Sequence, residues 1–446
     1  MLTKKLFYKG MIAMTDYLIC GGLLVTSGGT VPNAGILVTR GKIAAPGAPG
    51  PGGLYPGFCC SMGRPGRRPV SPDPGSSGTS KNCCVGDQCS RECVEIDASG
   101  LMISPGFIDL HVHGGNGCDI MDGTAAAIKE IASYHAMGGT TSFLATAAPA
   151  PKDRLQKLLT ALSGLSMKFT GGAQLLGIHM EGPYINPLRA GAINPAHLRK
   201  VSTSEMADFI LAGEGTLKMV TVAPELPGSS ELIKMLVGEG IIVSAGHSEA
   251  DYETAVASFK NGVTHAIHLF NASAPLHHRE PGLVGAVLAE RDITAEIIAD
   301  GRHLHPAMLK MLYSIKGNRG LTLATDAVSA AGRPDGDYLF NGRRIIMEKG
   351  QVTLPEGPMA GSSLTMVKAV KNMVGMAGIP LHEAVRMASL NPARLLGREN
   401  YKGALAPGMD ADIVLLDSSF NVRLTMVCGE IVYSNLRIPQ KKKAGK

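Results

Sequence analysis

Apolar residues in this chain follow more than one rhythm, and the places where the rhythm changes divide the sequence into parts. Residues 15–43 carry short, partly β-branched runs broken by glycine: Tyr17-Leu-Ile-Cys20, Leu23-Leu-Val-Thr26 and Gly35-Ile-Leu-Val-Thr39. Such runs predict strands joined by turns. Residues 46–93 lose the pattern. Pro, Gly, Ser and Arg dominate there, and Leu, Ile and Val are almost absent. A segment of this composition cannot bury enough apolar surface to offset its ordering entropy, so a disordered insertion is expected. The strand pattern resumes at Val94-Glu-Ile-Asp97.

Beyond that point eight strand-like runs follow, at 106–113, 141–147, 174–181, 219–224, 241–246, 263–270, 293–299 and 321–325. Helix-like segments lie between them at 124–137, 152–165, 229–239, 251–261 and 306–315. The helical link between the sixth and seventh runs is weak. Eight alternating units predict an α/β fold, a (β/α)8 TIM barrel. A Gly-rich stretch comes next, then helix-like segments at 365–377 and 381–390. The chain closes on a β-like tail, Asp412-Ile-Val-Leu-Leu416, 422–426 and Glu430-Ile-Val-Tyr433, whose alternation resembles that of residues 15–43. The simplest arrangement pairs the two chain ends in a small β-sandwich beside the barrel. The expected division is 1–45, 94–104 and 396–436 for the small domain, 46–93 for the insertion, 105–395 for the barrel and 437–446 for a basic disordered tail.

Composition narrows the function classes. The net charge is +6, and part of the excess sits in Lys441, Lys442, Lys443 and Lys446. A basic terminus is ordinarily just solvated. Aromatic residues make up 4% and Trp is absent, which argues against a base-stacking platform and against nucleic acid as a partner. No run of about 18 apolar residues exists to span a membrane. Lys9 interrupts the apolar stretch near the start, so no signal peptide is expected, and the cytoplasm is the default location. Nine cysteines, an odd number, do not form a disulfide framework in such a chain. Six of them, Cys59, Cys60, Cys83, Cys84, Cys89 and Cys93, fall within the insertion, at spacings that match no paired CxxC metal site.

The candidate chemistry lies at the C-terminal ends of the predicted strands, where barrel enzymes place it. The first strand ends Asp109-Leu-His-Val-His113. Residues two apart share a strand face, so His111 and His113 project together, as metal ligands must. The third ends His179-Met-Glu181, and the same alternation aims both side chains at one place. A carboxylate at the barrel mouth is costly to desolvate without a cation or donors to receive it. The fifth ends Ala245-Gly-His247 and the eighth Thr325-Asp326. On the sixth, His265 and His268 are three apart, so only one is expected to reach the site, and His268 lies nearer the strand end. Each feature has a bland explanation in a core histidine or a structural carboxylate. Together they predict a catalytic metal site.

These residues resemble the amidohydrolase superfamily and, within it, the N-acetylglucosamine-6-phosphate deacetylase family. The resemblance rests on Pro105-Gly-Phe-Ile-Asp-Leu-His-Val-His113, His179-Met-Glu-Gly-Pro183, Ala245-Gly-His-Ser248, His268-Leu-Phe-Asn-Ala272, Arg279-Glu-Pro-Gly282, Ile298-Ala-Asp-Gly301, Thr325-Asp-Ala327 and Ala360-Gly-Ser-Ser-Leu-Thr365. It implies that Glu181, His247 and His268 hold a divalent metal, zinc or iron, with one or two ions per subunit. His111 and His113 stand at a position that varies in the family and allow the second ion. Asp326 is implied as the catalytic acid and base. Substrate contacts are implied for Asn271, Ala272, His303, the backbone of Met359, Ala360, Gly361 and Ser362, and Arg279, a phosphate-binding arginine that can reach in from a neighbouring subunit. A small phosphosugar is therefore the expected substrate, and a homodimer the expected assembly. One position departs: after Gly191-Ala192 the family usually carries a polar residue, and here stands Ile193, so only the backbone of Ala192 and Ile193 can serve.

Two rival readings are set against this one. Dihydroorotase-like enzymes bridge two metals with a modified lysine at the fourth strand, but here that strand ends Val222-Ala-Pro-Glu225. A non-catalytic scaffold would have lost ligands that this chain keeps. An enzyme acting on the galactosamine epimer is closer, because a single hydroxyl separates the two substrates.

Overall fold

The computed structural model describes residues 14–44, 93–167 and 171–438. All insertion cysteines other than Cys93 lie outside the described residues, as does nearly all of the basic tail.

Eight parallel strands form the barrel: Phe107–Val112, Thr140–Ala147, Gln174–Glu181, Leu217–Val222, Ile242–Ala245, Val263–Ala266, Thr294–Ile297 and Leu321–Leu323. Each hydrogen-bonds to the next in order. The ring closes where Val112 forms a parallel bridge with Ala327. Backbone bonds from His113 and Gly114 to the Ala327 carbonyl, both 2.9 Å, hold the same seam. The fold is thus the expected TIM barrel.

Local sequence explains the outer helices. In Lys152–Ser163, Leu155, Leu158, Leu159 and Leu162 fall on one helical face and are buried. Tyr252–Asn261 starts at Asp251, whose side chain accepts from the Thr254 N–H, and ends at Gly262 in a left-handed conformation. The weak link between strands six and seven contains the helix Gly282–Ala289. Its sequence, Gly-Leu-Val-Gly-Ala-Val-Leu-Ala, has no polar face and two poor helix formers, so neither periodicity nor propensity marks it.

The chain ends meet as expected. Tyr17–Thr26 pairs antiparallel with Gly29–Thr39 and parallel with both Val94–Asp97 and Met102–Pro105. Met102–Pro105 in turn pairs with Ile413–Leu416, which continues to Val422–Val427 and Glu430–Ser434. Hydrogen bonding makes this one sheet that branches at its first strand. Ile19, Ile36, Val38, Ile96, Ile103, Ile413, Leu415, Leu424 and Met426, drawn from both branches, share a core separate from that of the barrel.

The Gly-rich stretch after the eighth strand holds a further three-stranded sheet that the apolar pattern does not reveal: Gly336–Phe340, Arg343–Glu348 and Gln351–Thr353. Both hairpins turn in two residues, Asn341-Gly342 and Lys349-Gly350, all four with positive φ. Such turns match the twist of paired strands, and Asn-Gly is their usual sequence. The outward positions carry Asp337, Arg344 and Glu348, which hides the strands from a search for apolar runs. This sheet packs Phe340, Ile345, Met347 and Val352 against Val328 and Ala360.

Candidate active site

Strand-end geometry brings the predicted side chains to one place. A cavity of about 240 Å³ is lined by His113, Glu181, His247, His268 and Asp326, with Gly191, Ala192, Ile193, Asn271, Ala272, His303, Met359 and Gly361 completing much of its wall. His247, His268, Ala272 and Asp326 all have left-handed backbones, with φ of +49°, +27°, +48° and +50°. Non-glycine residues rarely adopt that conformation, and it costs on the order of 1–3 kcal/mol where surrounding structure must enforce it. Here it turns each side chain back over the barrel mouth. Backbone bonds supply the enforcement at Asp326: its N–H donates to the His111 carbonyl at 3.0 Å, and its carbonyl accepts from Ser362 N–H at 2.7 Å.

Glu181 is the centre of the cluster and is almost fully buried. Its Oε1 lies 3.0 Å from His247 Nε2 and 3.2 Å from His268 Nε2. Its Oε2 lies 3.2 Å from His113 Nε2, and Oε1 is 3.4 Å from His111 Nε2. Burial alone would raise the carboxyl pKa, but the surrounding imidazoles of His111, His113 and His247 outweigh it and hold Glu181 well below the usual carboxylate range. Asp326 Oδ1 completes the ring, 3.4 Å from His113 Nε2 and 3.6 Å from His111 Nε2.

The donor set fits a divalent cation. His247 Nδ1–H donates to the Arg189 carbonyl at 2.7 Å, so in the neutral ring the Nε2 lone pair faces Glu181. His268 Nε2 is only 3.2 Å from His247 Nε2. Lone pairs of two imidazoles and a carboxylate that converge in this way repel one another unless a positive charge lies between them. Glu181, His247 and His268 form one such group, and His111, His113 and Glu181 a second, with ligand atoms of each group within 4.8 Å of one another. The same excess of negative charge acts on His111. Burial pulls its pKa down, yet Glu296, Asp326 and Glu181 raise it well above its ordinary value.

The expected contrast between His265 and His268 holds. His268 reaches Glu181, whereas His265 stays beneath, with Nδ1 2.7 Å from Thr294 Oγ1. His179 also points inward but one layer lower, 2.8 Å from Thr221 Oγ1 and edge-on to the His111 ring. Asn271 lines the cavity while its amide donates to the His268 carbonyl at 3.2 Å. His303 lines it with Nδ1–H donating to Asp300 at 2.7 Å, which leaves Nε2 as its other polar atom.

Three expected contacts are not where the sequence suggests. Ala360 is fully buried against Val328 in the core of the extra sheet, and Ser362 faces the Thr325 carbonyl, so neither lines the cavity. Met359 and Gly361 do, together with Pro358, and Gly361 turns there with a left-handed φ of +61°. Arg279 sits in an exposed loop beside His278 and does not line the cavity of its own chain. Among the described residues, no lysine or arginine lines it.

Several site residues escaped the sequence reading. Phe340 lines the cavity and meets the His113 ring edge-on at a centroid distance of 4.9 Å. Only the extra hairpin brings it there. Arg343, from the next strand, donates to the Ala192 carbonyl at 3.0 Å and braces the loop that carries Ile193. Glu296 lies inside the seventh strand, fully buried, 2.8 Å from His111 Nδ1. A carboxylate in an otherwise apolar strand, Thr294-Ala-Glu-Ile297, was the available signal.

The chain is 38% identical over 330 residues to an N-acetylgalactosamine-6-phosphate deacetylase of Escherichia coli O157:H7, covering 74% of this chain and 87% of that one. It is 37% identical over 352 residues to an N-acetylglucosamine-6-phosphate deacetylase of Vibrio furnissii, covering 79% and 88%. Among solved structures, it superimposes on a mutant of the Mycobacterium smegmatis N-acetyl-D-glucosamine-6-phosphate deacetylase in complex with N-acetyl-D-glucosamine-6-phosphate. That match has a TM-score of 0.80 and 29% identity, over 94% of this chain and all of the other. The sequence model of the amidohydrolase family matches residues 102–432, which span the barrel, both triads and the tail strands of the small sheet, and on that extent this chain belongs to the amidohydrolase family.

Proposed function

We propose that this chain hydrolyses the acetamido group of N-acetyl-D-glucosamine 6-phosphate, giving D-glucosamine 6-phosphate and acetate. The observation that carries the proposal is the convergence of Glu181, His247, His268 and Asp326 on one cavity, in a chain whose relatives are named as deacetylases of this substrate class. Most of those relatives carry the glucosamine name, as does the superimposed mycobacterial structure, and this favours the gluco over the galacto epimer.

In this reading Glu181, His247 and His268 hold the principal metal ion, zinc or iron. His111 and His113 share Glu181 with it and offer a place for a second. A divalent ion held there supplies Lewis acidity, polarising an amide carbonyl and acidifying water. The chain's own residues do the rest. Asp326, at the edge of both triads, takes the proton from the attacking water and passes it to the departing sugar nitrogen. An amine is a poor leaving group until protonated, so the second transfer matters as much as the first. His303, oriented by Asp300, presents Nε2 to the substrate. The Asn271 side chain and the backbone of Ala192, Ile193, Ala272, Met359 and Gly361 hold the sugar.

A phosphate dianion needs a cation, and no lysine or arginine among the described residues lines the cavity. Arg279 lies on an exposed loop instead. We therefore assign it the phosphate in a homodimer, where the loop enters the partner subunit's site; its forked guanidinium suits two phosphate oxygens at once.

The test is acetate release from both epimeric N-acetylhexosamine 6-phosphates, with enzyme reconstituted separately with zinc and with iron. Release from the gluco substrate at the higher kcat/KM supports the proposal. Release from the galacto substrate alone overturns the epimer assignment, and release from neither overturns the function.

A further inference from the structure

The carboxylate of Glu296 is fully buried in the seventh barrel strand, and no step of the proposed reaction uses it. Its Oε1 makes two contacts that matter. It accepts from His111 Nδ1–H at 2.8 Å, and from the backbone N–H of His268 at 3.2 Å. One oxygen therefore touches a ligand of the second triad, His111, and the main chain of a ligand of the first, His268. Its other oxygen lies 3.6 Å from His265 Nε2, and neither of these atoms has a closer hydrogen-bond partner.

These contacts fix two degrees of freedom. A carboxylate can only accept from Nδ1–H, so His111 must carry its proton on Nδ1 and turn Nε2 toward the cavity. Nε2 then stands 3.2 Å from His113 Nε2 and 3.4 Å from Glu181 Oε1. The bond to the His268 N–H holds a backbone at φ +27°, a conformation that needs outside support. An isolated buried carboxylate is strongly disfavoured, so one kept in an apolar strand needs partners that receive it. Here those partners are His111 and the His268 main chain.

We propose that Glu296 is a positioning residue for metal binding: by orienting His111 it turns the His111–His113 pair into a second ion site that shares Glu181 with the first. This rests on the reading of Glu181, His247 and His268 as the principal site. Outer-sphere carboxylates of this kind change metal affinity by about 10–100-fold when removed. The larger loss should fall on the second ion, because His111 is a ligand of that triad alone, whereas the principal triad loses only a backbone bond behind His268. The first ion keeps Glu181, His247 and the His268 side chain.

The experiment titrates metal-free protein with cobalt(II), following visible absorption and counting bound ions by mass spectrometry of the desalted protein. Wild type is expected to bind two ions per chain. Glu296→Ala should bind the second ion about 10–100-fold more weakly and the first with a clearly smaller loss. Glu296→Gln keeps the shape and one acceptor oxygen and should fall between them; it also carries the test if the alanine variant fails to fold. Two ions bound by either folded variant as tightly as by wild type would overturn the proposal. Wild type binding a single ion would overturn it too, while leaving the principal site intact. Wild type binding none would instead defeat the reading of the principal site.

Discussion

Replacing Asp326 with asparagine separates proton transfer from every other task at the site. The amide fills the same space as the carboxylate. The backbone bonds that hold position 326, to the His111 carbonyl and from Ser362 N–H, do not involve the side chain. Glu181, His247 and His268 keep their mutual contacts. What disappears is a group able to accept a proton beside the ligand cluster. General base catalysis contributes about 10²–10⁴-fold, or roughly 3–5 kcal/mol of barrier. Which end of that range applies depends on substitutes. Glu181 is a weak one, because the imidazoles around it hold its pKa far down. His303, the other ionisable side chain on the cavity wall outside the cluster, belongs to neither triad and is bonded to Asp300, so it does not stand beside the ligand cluster as Asp326 does. The loss in kcat should therefore lie in the upper half, about 10³–10⁴-fold. Steady-state acetate release gives kcat, equilibrium binding of substrate gives Kd, and elemental analysis gives metal content. The reasoning requires Kd within a few-fold of wild type and full metal content. It fails if Asp326→Asn turns over within tenfold of wild type. It fails equally if the variant loses its metal, since Asp326 would then be a ligand more than a base.

Two further outcomes test the metal site and the small domain. Chelation should lower the melting temperature as well as abolish activity, because an ion at a hundred times its Kd stabilises by about 2.7 kcal/mol; Glu181→Gln, which removes the residue both triads share, should melt at one temperature with or without chelator. Lys402→Met should destabilise by about 3–5 kcal/mol in urea unfolding, since it leaves Asp412 buried without its cation, now 2.7 Å away. Burial lowers the Lys402 pKa, but Asp412, Cys428 and Asp410 together raise it above its ordinary value. The raised pKa fixes the sign: the contribution of Lys402 is complete below the unfolded value of about 10.4 and is lost as pH rises through the folded one. Wild type should accordingly show an alkaline loss of stability above that point that the methionine variant lacks.

How far the site could be read in the sequence depended on how each residue reaches it. Glu181, His111 and His113 sit on or beside barrel strands, and their two-residue spacing aims them correctly despite register shifts in those strands. His247, His268 and Asp326 lie just past strand ends in left-handed conformations, which alternation does not describe. Their motifs pointed to them, and backbone geometry delivers them. Phe340 and Arg343 were invisible because two tight turns, at Asn341-Gly342 and Lys349-Gly350, bring a charged-faced hairpin over the mouth. Ala360 and Ser362 were misplaced for a simpler reason. A motif names a segment, but local backbone such as the φ of +61° at Gly361 decides which of its residues, here Met359 and Gly361, face the cavity. Arg279 belongs to another class again, since its proposed partner lies on a second chain.

The arrangement of charge explains why these pieces belong together. Glu181 and Glu296 are buried and Asp326 is nearly so, all within reach of the same histidines. An apolar barrel tolerates such a concentration of negative charge only if positive charge accompanies it. Without an ion the demand falls on imidazoles, and His111 is driven toward its charged form although burial opposes it. With an ion bound, the imidazoles can stay neutral and offer lone pairs. Proton and metal thus compete for the same negative field, and acidification should release the ion as well as protonate the ligands. The carboxylate that orients His111 helps to create that field. Glu296 therefore does two things with one oxygen. It directs a lone pair toward the cavity, and it adds the charge that makes a cation welcome there.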